Sequence, residues 1–208
     1  MLIIIILSSV IAGVLIAGAI YAFTGFTFFD TIRKKTVSID DAADADMTIL
    51  AYTVLANIRD EDFLALSRVV HPDLGLVLSP CATIDLTTDR RFSSEQVAAL
   101  GTDTSTYVWG VYNGSGEPIE MTVSEYFDKF VPAAYHLNAA VIGVNQIIKS
   151  GNALENIFDV FPGVQFVDFH IPGEEQNEEF GWSSLRLGFE EYEGSLWLIT
   201  IVYSTWTA

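Results

Sequence analysis

Cysteine is nearly absent from this 208-residue chain, where Cys81 stands alone. No disulfide can close within the chain, and no zinc site can be built from thiolates. Histidine occurs at 71, 136 and 170 only, and no two of these have metal-ligand spacing. No metal and no cofactor is therefore expected. Basic residues are scarce: 10 Lys and Arg stand against 27 Asp and Glu, for a net charge of −17 at pH 7. The first 29 residues lack charge altogether, and Asp30 is the first charged side chain.

What fills that uncharged stretch is aliphatic. Leu2-Ile3-Ile4-Ile5-Ile6-Leu7 leads into Val10, Ile11, Val14, Leu15, Ile16, Ile20, Tyr21 and Phe23. A bilayer core of roughly 30 Å needs about 20 apolar residues at helical rise. Residues 2–29 are long enough to be a retained anchor whose partner is the lipid bilayer. A signal peptide has a shorter apolar core and a basic leader, although Ala17-Gly18-Ala19 could serve as a cleavage site. No cysteine ends the run, so bacterial lipidation is excluded. Gly25-Phe26-Thr27-Phe28-Phe29-Asp30 looks like a type IV prepilin processing site, but here the apolar helix precedes it. Arg33-Lys34-Lys35 favours a cytoplasmic C-terminal part by the positive-inside rule. The acidic remainder favours the opposite side.

From Asp41 onward there are 25 acidic and 7 basic residues. Such a surface repels phosphate backbones, so no nucleic-acid partner is expected. Three parts follow from this reading: an anchor over 1–29, a juxtamembrane linker over 30–44, and one domain over 45–208.

Within the domain, Met47, Leu50, Ala51, Val54, Leu55 and Ile58 recur at helical spacing, after a cap at Asp40 or Asp41. Asp60 is expected to cap a second helix with Phe63, Leu66 and Val70 on one face, ended by His71-Pro72. Leu74–Leu78 and Ala82–Leu86 read as short strands. Ser93-Ser94-Glu95-Gln96 and Thr122-Val123-Ser124-Glu125 are capping boxes that open helices. Thr106–Tyr112 reads as a strand followed by a turn at Asn113-Gly114-Ser115-Gly116. Residues 133–160 read as irregular, with a helical piece over Asn152–Phe158. Val164–Ile171 is a strand, and Ser183–Tyr192 with Leu196–Thr205 forms a hairpin across Glu193-Gly194. The last strand is apolar on both faces, as an interior strand is. Helices first and sheet last make an α+β domain.

Two helices, the break at His71-Pro72-Asp73 and the terminal hairpin resemble the NTF2-like (cystatin-like, SnoaL-type) fold. More narrowly, five stretches resemble a group of bacterial envelope proteins of uncharacterised chemistry. They are Trp109-Gly110-Val111-Tyr112 with Gly114-x-Gly116-x-Pro118-Ile119, Tyr126-x-x-Lys129-Phe130, Ser150-Gly151-Asn152, Trp182-Ser183-Ser184-Leu185-Arg186-Leu187, and Trp206-Thr207. The resemblance spans about residues 45–207. It implies a cone of N-terminal helices on a curved antiparallel sheet, held behind a transmembrane helix and outside the membrane. Glu174 to Glu179 depart from the group, as does the missing lipoprotein signal.

Asp168 and His170 share a strand face and could form an acid/base pair, as NTF2-like enzymes use within the cone. The opposite face, Val167, Phe169 and Ile171, is better suited to the core, which would turn the pair toward solvent. His71, after a helix end, suits the helix dipole, and His136 has no evident partner. Glu174, Glu175, Glu178 and Glu179 read as a solvated loop. Gly114-x-Gly116 lacks the Lys-Ser/Thr of a phosphate loop and reads as a turn. Trp109, Tyr112 and Trp182 are aromatic candidates for lining a ligand pocket. Arg186 could hold a carboxylate, either a ligand's or a neighbour's. The expected function is non-enzymatic: a single-pass, extracytoplasmic domain that binds a small ligand, an envelope component or a protein. The alternatives are an Asp168–His170 enzyme and a filament subunit assembled through the apolar helix.

Overall fold

The computed structural model describes residues 39–112, 114–174 and 180–206. The expected anchor and most of the acidic cluster, residues 175–179, lie outside the described residues. Among the described residues no helix is long and apolar enough to cross a membrane. The chain divides into two units, Met1–Ala43 and Asp44–Ala208, and apart from the first residues of one helix the second holds everything that follows.

Helix α1 spans Ile39–Arg59. It begins ahead of the expected cap at Asp40 or Asp41, because Ala42, Ala43 and Ala45 extend it readily toward the N-terminus. Met47, Ala51, Val54, Leu55 and Ile58 are buried on one face, as their spacing predicts. Helix α2, Phe63–Ser67, is capped by Asp62 rather than Asp60: the Asp62 carboxylate accepts from the Ala65 amide at 2.8 Å. Asp60 instead pairs with Arg59 at 2.7 Å. The helix ends four residues before His71, and Val70 leaves it to bridge Leu198.

Strands β1 (Leu76–Ser79) and β2 (Arg90–Phe92) follow, then α3 (Ser94–Ala99) with a 3-10 turn over Leu100–Thr102. The Ser93/Gln96 capping box opens α3 as expected. Residues 82–86 form no strand. Thr83 and Ile84 bond instead to Leu154 and Asn156, far along the chain. Next come β3 (Thr106–Val111), β4 (Pro118–Thr122), α4 (Val123–Phe130), α5 (Ala133–His136), β5 (Val141–Val144) and α6 (Ile157–Val160). The chain closes with β6 (Gln165–Ile171), β7 (Ser183–Tyr192) and β8 (Ser195–Thr205). Strands β4 and β5 were not visible in the pattern, since one opens at a proline and the other is four residues long with a glycine.

The main sheet runs β2-β1-β8-β7-β6-β5, and β3-β4 form a separate ribbon. Strand β8 is interior, as its apolar faces predict. The sheet is mixed and not purely antiparallel, because β1 lies parallel to β8. One face packs Val167, Phe169, Leu185, Leu187 and Ile201 against α1 and α4, with Tyr52 edge-on to Phe169 at 5.1 Å. The other face holds Val77, Ile84, Ile157, Val164, Phe166, Ile199 and Val202. Each face carries a buried apolar cluster, in an α+β arrangement.

Candidate functional site

The second sheet face carries the charge. Register sets Asp168 opposite Arg186 and His170 opposite Ser184. Arg186 and Asp168 are 1% and 0% exposed. An isolated charge there would be prohibitive, and each guanidinium nitrogen finds an acceptor. Its Nε donates to Asp168 Oδ2 at 3.0 Å, Nη1 donates to Glu155, and Nη2 donates to the Lys149 carbonyl at 3.1 Å. Asp168 Oδ2 also accepts from the Ile148 amide at 3.1 Å. The cluster therefore ties the 148–155 segment down onto the sheet. Gly143 permits the close approach near Ile148, and Gly188 is tightly packed elsewhere on the same face. A Cβ on Gly143 would sit 2.3 Å from the Gln146 carbonyl oxygen, and one on Gly188 would sit 2.6 Å from Thr200 Cγ2.

This overturns the expectation that Asp168 and His170 turn toward solvent. Nor do they bond to each other. His170 Nδ1 lies 3.0 Å from Ser184 Oγ, and its ring packs 5.8 Å from Trp182. Burial lowers the His170 pKa, against the raising effect of the Asp168 carboxylate. His136, expected to lack a partner, has two. Its Nδ1 is 3.2 Å from the Pro132 carbonyl, which can only accept, so Nδ1 carries the proton. Nε2 then accepts from Ser183 Oγ at 3.2 Å. Burial lowers the His136 pKa as well. His71 Nδ1 accepts from the Asp73 and Leu74 amides, both at 3.1 Å, so it shapes a turn and does not meet a helix end.

The open site lies elsewhere. A groove of about 280 Å³ is walled by Pro80, Cys81, Val111, Tyr112, Ile119, Lys129, Phe130, Tyr203 and Thr205. These come from the end of β1, the β3-β4 ribbon, the last turn of α4 and the end of β8. Local chemistry assembles them. Gly114 and Gly116, at φ 89° and 70°, carry the turn that returns β3 into β4. The Thr122/Glu125 capping box then launches α4 directly from β4. Trp109 stacks on Tyr126 at 4.0 Å and donates to the Met121 carbonyl at 2.8 Å, which pins α4 to the ribbon.

At the rim, Lys129 Nζ donates to Tyr112 Oη at 2.8 Å and lies 4.9 Å from the Tyr112 ring and 5.2 Å from the Phe130 ring. Among the described residues Lys129 has no ion pair. Near the Cys81 wall, Tyr126 Oη is fully buried with no hydrogen-bond partner among the described residues. Burial raises the Tyr126 phenol, and Asp89 and Cys81 add to the effect. Burial also pushes the Asp89 carboxyl up to about 6, against the lowering by Ser79 and the Asp85 amide. The Cys81 thiol meets the Thr83 carbonyl at 3.2 Å. A second hollow of about 460 Å³ is ringed by Arg59, Glu61, Asp103 and Asp128, with several apolar residues between them.

Of the four sequence candidates for ligand contact, Tyr112 alone lines the groove. Trp109, Trp182 and Arg186 are inside the fold, at 0%, 1% and 1% exposure. Lys129 and Cys81 were not singled out for binding. Scarcity of basic residues in the domain was the available signal for Lys129. Among the described residues no cluster of His, Cys, Asp and Glu could hold a metal ion.

No family model matches the chain, and no curated protein matches it. A solved structure described as a calcium/calmodulin dependent protein kinase II association domain, from Xanthomonas campestris, aligns over 77% of this chain and 85% of its own. The identity is 12% and the TM-score 0.29.

Proposed function

We propose that this chain is a non-enzymatic binding domain of NTF2-like type, tethered to a membrane by residues 2–29 and displayed on its outer side. The groove at Tyr112 and Lys129 carries the reading. It is a small concavity with mostly apolar walls and a few convergent polar groups, the ordinary make-up of a ligand site. Helices on one side of a curved sheet would give such a groove its position at the open end of a cone. The uncharged run before Asp30 supports the tether, and the acidic domain supports the outer side.

The full chain purified from its cells, examined by native mass spectrometry, should carry a small molecule that Val111→Trp lacks. Val111 is 39% exposed, so the larger ring fills the groove without entering the core. Equal occupancy of the two proteins, or none in either, overturns the binding reading. Protease added to intact cells should digest the domain. Digestion only after lysis places it on the inner side and overturns the outer placement.

A further inference from the structure

We infer that the groove selects a small carboxylic acid with an apolar body, free in solution, whose carboxylate docks on Lys129 and Tyr112. The inference rests on the binding reading above and names its ligand class. Three observations carry it. First, donors at the rim are unspent. An ammonium has three N–H groups, and Lys129 uses one on Tyr112 Oη. Because Tyr112 Oη accepts that bond, its own hydrogen remains to donate. Second, no acceptor competes, since Lys129 has no ion pair among the described residues. Third, the walls next to these donors are apolar, with Val111, Ile119, Phe130 and Tyr203 available to a hydrocarbon or aromatic body.

The net charge of −17 does not defeat this. At physiological salt the Debye length is about 8 Å, so distant acids are screened and the nearest charge decides. Lys129 is that charge. The contrast with Arg186 is direct: that guanidinium is consumed by Asp168, Glu155 and a carbonyl.

The test uses two probes that differ only at the head, 3-phenylpropionate and 3-phenylpropanamide, titrated into the full chain in detergent by calorimetry. The acid should bind about fivefold more tightly than the amide, the ratio of an exposed charge pair, and the preference should shrink at high salt. Lys129→Gln should cut the ratio to under about twofold while leaving the amide's affinity in place. Val111→Trp should abolish binding of both. If the amide binds as well as the acid and Val111→Trp blocks both, the ligand class falls and the groove stands. A preference that survives Lys129→Gln also overturns it. If neither probe binds in a Val111→Trp-sensitive way, the class and the groove reading fall together.

Discussion

Arg186 and Lys129 are both cations in an acidic domain, and their surroundings differ in every respect. Arg186 is 1% exposed, and each nitrogen of its guanidinium has an acceptor. Lys129 is exposed, holds a tyrosine hydroxyl and leaves donors over. A buried charge persists only when fully paired, so its chemistry is spent on the fold. An exposed charge beside an apolar groove costs the fold little and stays available. The identity of a basic residue therefore says less about ligand binding than the acceptors around it.

The largest test of that contrast is Arg186→Ala. It removes the guanidinium that pairs both Asp168 and Glu155, and should cost about 3–5 kcal/mol in urea unfolding. A loss below about 1 kcal/mol would show that water reaches the cluster and that its sealing is illusory. Next comes Gly188→Ala, on the same sheet face. Its Cβ would lie 2.6 Å from Thr200 Cγ2 and 3.2 Å from Val164 Cγ2. Overpacking there should cost about 1–3 kcal/mol. A neutral result would mean that the layer over β7 yields.

Asp89 tests the groove side by pH. Its folded pKa of about 6 lies above the ordinary aspartate value of 3.8. Between these values the folded chain binds the proton that the unfolded chain has released. Its contribution is therefore greatest below pH about 4 and is lost as pH rises through about 6. The size should be about 1–2 kcal/mol, discounted for partial solvent contact. Asp89→Asn should lose this limb, so the stability difference from wild type should change between pH about 4 and about 6. The difference plot also cancels His136 and His170, whose lowered pKa values act the opposite way, weakening the fold as pH falls. A flat difference would show that solvent reaches the carboxyl freely.

Local chemistry was legible in the sequence, and long-range pairing was not. Both capping boxes formed where Ser93 and Thr122 sit, because donor and acceptor are three residues apart. The β7-β8 hairpin formed across Glu193-Gly194, with φ of 53° and 77°. Strand β2, by contrast, is Arg90-Arg91-Phe92 and exists through pairing with β1. The alternation of Val167, Phe169 and Ile171 with Asp168 and His170 was legible, but it misled about solvent, since Asp168 is buried against Arg186. Glu155 and Lys149, which neutralise and cover Arg186, lie 31 and 37 residues away in sequence. The groove has the same character. Tyr112 could be named from its aromatic setting, while Lys129 meets it only after 17 residues and a turn.

The smallest expected effect is the stability of Lys129→Gln. Gln keeps the aliphatic stem over Tyr112 and Phe130 and can still donate to Tyr112 Oη, so little packing is lost. The cation–π contribution at an exposed site is about 0.5–1 kcal/mol. Removing one positive charge from a strongly negative domain adds slightly to its self-repulsion. The sum should stay within about 1 kcal/mol in the same urea experiment, several-fold below Arg186→Ala. A loss as large as that of Arg186→Ala would place Lys129 among the groups that hold the fold. The two cations would then differ in exposure alone, and the leftover donors at the groove would have no separate meaning.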